Sequence, residues 1–159
     1  MDFSTFSDME VLDAYSSAID ELFKRNIIRT NNMTGELGEY LVVDYYNKMP
    51  ELPNLILCDV GADHYDAKDV NGKTYSIKTT TNTTTGTFTG LQPKGSEEQD
   101  QKLFDYAIVC KLNGKTFKLE HIYQIEWDDF LSMKGWHSTM KAWNISLTKK
   151  NISKTKIIL

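Results

Sequence analysis

The chain has 159 residues, 40% hydrophobic, 25% charged and 11% aromatic. That profile fits one ordinary globular domain, spanning 1–159, that can bury a core without disulfide or metal staples. A net charge of -4 argues against a generic basic nucleic-acid coat protein. The charge is uneven: residues 130–159 hold Lys134, Lys141, Lys149, Lys150, Lys154 and Lys156 and no acid, so +6, which leaves -10 for residues 1–129. A local basic segment can thus sit inside an acidic total. Cys58 and Cys110 both lie in apolar runs and are expected to be small buried hydrophobes. Met1-Asp2-Phe3-Ser4 lacks the basic region and apolar core of a signal peptide. No apolar run approaches the roughly 20 residues of a membrane span. A cytoplasmic protein with no membrane partner is the expectation.

In chain order, Ser7-Asp8-Met9-Glu10 has the form of a capping box. Val11, Leu12, Tyr15, Ala18, Ile19, Leu22 and Phe23 then repeat at helical spacing, predicting a first helix to about Arg25. The polar stretch Arg29-Thr30-Asn31-Asn32 breaks it. Thr34 can cap a second helix through about Lys48, which Met49-Pro50 ends. Leu37, Tyr40, Leu41 and Tyr45 are its expected apolar stripe. Glu36 and Glu39 stand three apart, so their side chains lie close together beside it.

Strand signals follow at 55–60 and 65–70. Asn71-Gly72 is a strong hairpin signal, and 73–79 returns with Tyr75 and Ile77 alternating against Ser76 and Lys78. Residues 79–90 are a Thr/Gly-rich tract, read as a polar loop or edge segment. Residues 93–102 read as a loop or short helix. Residues 104–112 read as a buried strand, and Asn113-Gly114 turns into a strand over 116–125. A short helix over 128–133 and a last strand near 145–147 complete a mixed α/β domain. Trp127, Trp136 and Trp143 are expected in the core or at a dimer contact.

One hairpin collects the chemistry. Asp66 lies in its first strand, and Ser76 and Lys78, two apart, share a face of the return strand. The second helix could add Glu36 or Glu39 to that surface. Two carboxylates and a lysine suit metal-assisted phosphodiester hydrolysis. The carboxylates hold Mg²⁺ through oxygen, the metal acidifies a bound water, and the lysine stabilises developing negative charge.

Gly-Glu-Leu-Gly-Glu-Tyr at 35–40, followed by Tyr-Asp-Ala-Lys-Asp-Val-Asn-Gly-Lys-Thr-Tyr-Ser-Ile-Lys at 65–78, resembles the PD-(D/E)xK nuclease superfamily. The hairpin is particularly similar to that of small type II restriction endonucleases. The resemblance covers about residues 34–125 and implies a restriction-endonuclease-like core. It implies Asp66 as the metal-binding acid, Lys78 as the motif lysine, and Glu39, ahead of Glu36, as the helix-borne acid and second metal ligand. Ser76 occupies the catalytic-motif position where Glu or Asp is usual. Either Glu39 supplies the missing charge, or the site is weakened or dead. Asp63 and Asp69 read as solvated or structural acids, and His64, His121 and His137 carry no assigned role.

The implied activity is a Mg²⁺-dependent DNA endonuclease of restriction type, with Mn²⁺ able to substitute, leaving 5′-phosphate and 3′-hydroxyl ends. A double-strand break needs two sites, so a homodimer on double-stranded DNA is expected. Thr80, Thr81, Asn82, Lys94, Lys149 and Lys150 are the candidate DNA contacts, through phosphates and base edges. Two other readings stay open: a DNA-binding module on the same fold without catalysis, and a phage or plasmid interaction protein.

Overall fold

The computed structural model describes residues 2–62 and 64–159. Helix α1 (Asp8–Lys24) begins with the expected capping box: Ser7 accepts from the Glu10 N–H, and Glu10 accepts from the Ser7 N–H. Its apolar stripe does not enter the core, because no residue of α1 is buried. Helix α2 (Met33–Lys48) starts one residue before Thr34, with Asn32 as its cap through the Gly35 N–H. Its deepest residues are Glu36, Gly38, Val42 and Tyr46. The expected Leu37, Leu41 and Tyr45 pack only partly buried beside them.

Six strands make the main sheet: β1 (Leu55–Leu57), β2 (Ala67–Asp69), β3 (Thr74–Thr80), β4 (Tyr106–Leu112), β5 (Leu119–Glu126) and β8 (Lys156–Ile157), in the order β1-β2-β3-β4-β5-β8. Among the described residues only β3 and β4 run parallel, with Lys78 opposite Val109. Their connection, 81–105, contains no helix and instead pairs with the C-terminal region through Thr84–Ser146 and Phe88–Trp143 bridges. Between β5 and β8 come α3 (Trp127–Met133), the small hairpin β6 (Gly135–His137) with β7 (Ala142–Asn144), and α4 (Lys149–Ile152). The protein is therefore mixed α/β with a mixed sheet. Among the described residues no helix is long and apolar enough to cross a membrane.

Both faces of the sheet are covered, which explains the unbroken apolar run of β4. Ile108, Cys110 and Leu112 pack with Val42, Tyr46, Tyr75 and Ile77 on the α2 side. Ala107 and Val109 face Phe88, Phe104, Phe130 and Ile145 on the other. Strands β1 and β2 are shorter than the expected 55–60 and 65–70. Residues 58–62 and 64–66 lie outside the strands, although the Cys58 N–H still reaches the Asp66 carbonyl at 2.9 Å. That excursion forms the walls of the site.

Candidate active site

Helix α2 lies unusually close to β3. A Cβ on Gly38 would fall inside the Thr79 side chain, so glycine is what permits the approach. The approach carries Glu36 and Glu39 beside Cys58, Asp59 and Asp66. Asp66 sits one residue before β2. Its N–H donates to the Tyr75 carbonyl at 2.8 Å. Its Oδ2 accepts the Ile77 N–H at 2.6 Å.

Asp66 is the wall between two cavities. One, about 190 Å³, is lined by Arg29, Glu36, Glu39, Cys58 and Asp66 among others. The second, about 120 Å³, is lined by Asp66, Ser76, Lys78, Phe88 and Phe104 among others. The sheet imposes this division. Tyr75 and Ile77 face α2. Ser76 and Lys78 therefore face the other way, and the Lys78 ammonium lies 5.5 Å from the centroid of the Phe88 ring. Glu39 lines the first cavity, and Ser76 and Lys78 line the second. Asp66 lines both cavities, and the Lys78 charge acts on Glu39 across it. Ser76 is buried and lines the second cavity.

Sequence reasoning passed over Arg29 as a helix breaker. Its Nε donates to Glu36 Oε2 and its Nη2 to Glu39 Oε2, each at 2.8 Å, and its Nη1 donates to the Cys58 carbonyl at 3.0 Å. Thr30 Oγ1 donates to the other Glu36 oxygen at 3.0 Å. Burial alone would lower the Arg29 pKa, but Glu36, Glu39 and Asp66 together hold it above its ordinary value. Glu39 is pushed up to about 7, first by burial, then by the Asp66 and Glu36 charges, against a smaller pull from Arg29 and Lys78. Arg29 thus sits among three carboxylates, Glu36, Glu39 and Asp66.

Among the described residues no group of three or more His, Cys, Asp or Glu side chains could hold a metal ion. The donors for a sparser site are present. Glu36 spends both oxygens on Arg29 and Thr30, whereas Glu39 Oε1 and Asp66 Oδ1 accept no hydrogen bond among the described residues. Two hard oxygen donors under mutual repulsion suit Mg²⁺, which keeps several waters. Asp63 lies outside the described residues. Asp69 is structural: it accepts from the Asn71 and Lys73 N–H groups and the Tyr75 hydroxyl, holding the turn. Cys110 is buried as expected, but Cys58 is only half-buried and lines the first cavity.

The candidate DNA contacts divide. Thr80 is buried, and its hydroxyl donates to the Thr84 carbonyl and accepts from the Asn82 N–H, so it builds a turn. The Thr81 carbonyl accepts the Lys111 ammonium at 3.1 Å. Asn82 is exposed at that turn. The Leu147 N–H bonds the neighbouring Thr83 carbonyl at 2.7 Å, so α4 with the exposed Lys149 and Lys150 begins beside the Asn82 turn. Lys94 is exposed in the separate 92–100 segment. Comparison of the sequence with models of known protein families and with curated proteins returns no match.

Proposed function

We propose that this protein is a Mg²⁺-dependent DNA endonuclease of restriction type on a restriction-endonuclease-like core. The observation that carries the reading is Asp66, locked to the Ile77 N–H and shared by the Glu39 and Lys78 cavities. Asp66 and Glu39 would hold the metal, with Mn²⁺ able to replace Mg²⁺. The bound ion supplies Lewis acidity toward a phosphoryl oxygen and acidifies water. Lys78 stabilises negative charge as the phosphodiester is cut, and the low-dielectric wall of Phe88 strengthens its field. Cleavage leaves 5′-phosphate and 3′-hydroxyl ends. The Asn82 turn, with Lys149 and Lys150 beside it, supplies a basic, hydrogen-bonding edge for the DNA backbone.

A second copy of the chain completes a double-strand cut. Its support is α1, where Met9, Leu12 and Tyr15 are 65%, 55% and 60% exposed on a well-capped helix. Such an apolar face gains by burial against its own copy.

Incubation of the protein with duplex DNA and Mg²⁺ is the test. Asp66→Ala and Lys78→Ala should each lower the rate by roughly 100- to 1,000-fold. No cleavage by the wild type, or cleavage by both variants at the wild-type rate, overturns the reading. Ser76 supports one alternative, a DNA-binding module without catalysis, because its neutral hydroxyl stands where a carboxylate is usual. Metal-independent DNA binding together with activity gained by Ser76→Glu favours that alternative.

A further inference from the structure

We infer that Arg29 is a positioning residue that fixes Glu39 as a metal ligand, an inference that rests on the nuclease reading above. All three guanidinium nitrogens are engaged, on Glu36, on Glu39 and on the Cys58 carbonyl. Glu36 is the anchor: it is 6% exposed, and its remaining oxygen is held by Thr30. Arg29 therefore ties a buried, immobile carboxylate to the partly exposed one a helical turn further on.

The consequence lies in which oxygen of Glu39 is used. Arg29 takes Oε2, and Oε1 accepts no hydrogen bond among the described residues in a side chain that lines the cavity with Asp66. A free glutamate side chain would lose rotamer freedom on binding an ion, and here the planar fork has already removed it. The device matters more in this chain than where the hairpin carries a second acid. Ser76 contributes no charge, so Glu39 must stand ready beside Asp66. Lysine would not serve equally, because a point charge cannot bridge two carboxylates and a carbonyl in one plane.

A purely structural ion pair, pinning the 26–32 connection to α2, would change stability and leave metal affinity of the folded protein alone. The experiment separates these roles. Mn²⁺ binding is measured by calorimetry without DNA, and DNA cleavage is measured against Mg²⁺ concentration. The proteins are wild type, Arg29→Lys, and the double variant Arg29→Met with Glu36→Gln, which leaves no buried charge of that pair unpartnered. Urea unfolding fixes the folded fraction of each.

Both variants should bind Mn²⁺ about 10- to 100-fold more weakly. Their cleavage should return towards the wild-type rate at saturating Mg²⁺, with Arg29→Lys the milder. Unchanged Mn²⁺ affinity in the folded variants overturns the role of Arg29 and leaves the nuclease reading standing. A rate loss that no Mg²⁺ concentration restores, with Mn²⁺ affinity intact, also overturns it. A wild type that neither binds Mn²⁺ nor cuts DNA overturns the nuclease reading and this inference with it.

Discussion

The Asp66 carboxylate accepts the backbone N–H of Ile77 at 2.6 Å. The bond ties an acid just outside β2 to the strand that presents Ser76 and Lys78. It leaves Oδ1 for the cavity. The two oxygens of Asp66 thus have separate duties, and two substitutions separate them. Asp66→Asn keeps an acceptor for Ile77 and should unfold near the wild-type urea midpoint while losing metal binding. Asp66→Ala also strands the Ile77 N–H, which costs about 1–3 kcal/mol more. Equal urea midpoints for the two variants would contradict this division.

Gly38 and Thr79 set the distance between α2 and β3. Gly38→Ala should destabilise the protein by about 1–3 kcal/mol, because the new Cβ overlaps Thr79. Removing the obstacle with Thr79→Ala should recover part of that loss. A double-mutant cycle in urea reads the coupling. Purely additive effects would show that the close approach is not what glycine serves.

The raised pKa of Glu39, about 7, gives a signed pH dependence in the metal-free protein. The folded state holds a proton that the unfolded state releases near 4.5. The resulting stabilisation is complete below pH 4.5 and disappears as pH rises through 7, at most about 3 kcal/mol. Wild-type stability in EDTA should therefore fall over that window, and Glu39→Gln should fall less. Millimolar Mg²⁺ should restore wild-type stability above pH 7, since an ion that binds only the folded state stabilises it. Parallel stability curves for wild type and Glu39→Gln would refute the assignment.

Asp105 behaves in the opposite sense. Burial would raise its pKa, but Lys102, the Thr74 N–H and Lys73 outweigh burial and hold the carboxyl well below the usual range. Its contribution is present above its unfolded value of 3.8 and is lost as pH falls below it. Asp105→Asn should be less stable than wild type at pH 7, with the gap narrowing below about pH 4. A gap independent of pH would show that charge is not the cause.

The exposed face of α1 predicts self-association. Leu12→Glu with Tyr15→Glu should convert a dimer to a monomer in sedimentation experiments, with helicity unchanged, because neither residue is buried. Double-strand cutting should then give way to nicking. A wild type that sediments as a monomer at micromolar concentration removes the support that α1 gives to a dimer.

Local chemistry was legible in the sequence. Ser7 and Glu10 are three residues apart, and their reciprocal hydrogen bonds need no distant partner. The Asn71-Gly72 turn is local too, with Gly72 at a φ of +79°. Alternation in β3 and the apolar run of β4 marked the sheet, because pleating and burial act residue by residue. The same local elements put Asp66 and Lys78 on one hairpin and offered Glu36 or Glu39 from the helix, and the preference for Glu39 is what the resemblance to the nuclease superfamily implies. Strand alternation turned Ser76 and Lys78 away from α2, while Tyr75 and Ile77 face it.

Tertiary structure alone decided the rest. Arg29 gave no sequence signal, since its partners lie 7, 10 and 29 residues away and meet it only when α2 docks on β3. The exposure of α1 was likewise invisible, because an apolar stripe records what a helix could bury and not whether a partner surface lies within the chain. The opening charge count changes meaning in the same way. The -4 total gave no warning that Glu36, Glu39 and Asp66 share one cavity with a single arginine. Charge counts along a chain carry no distances, and the electrostatics of a site depend on distance and burial.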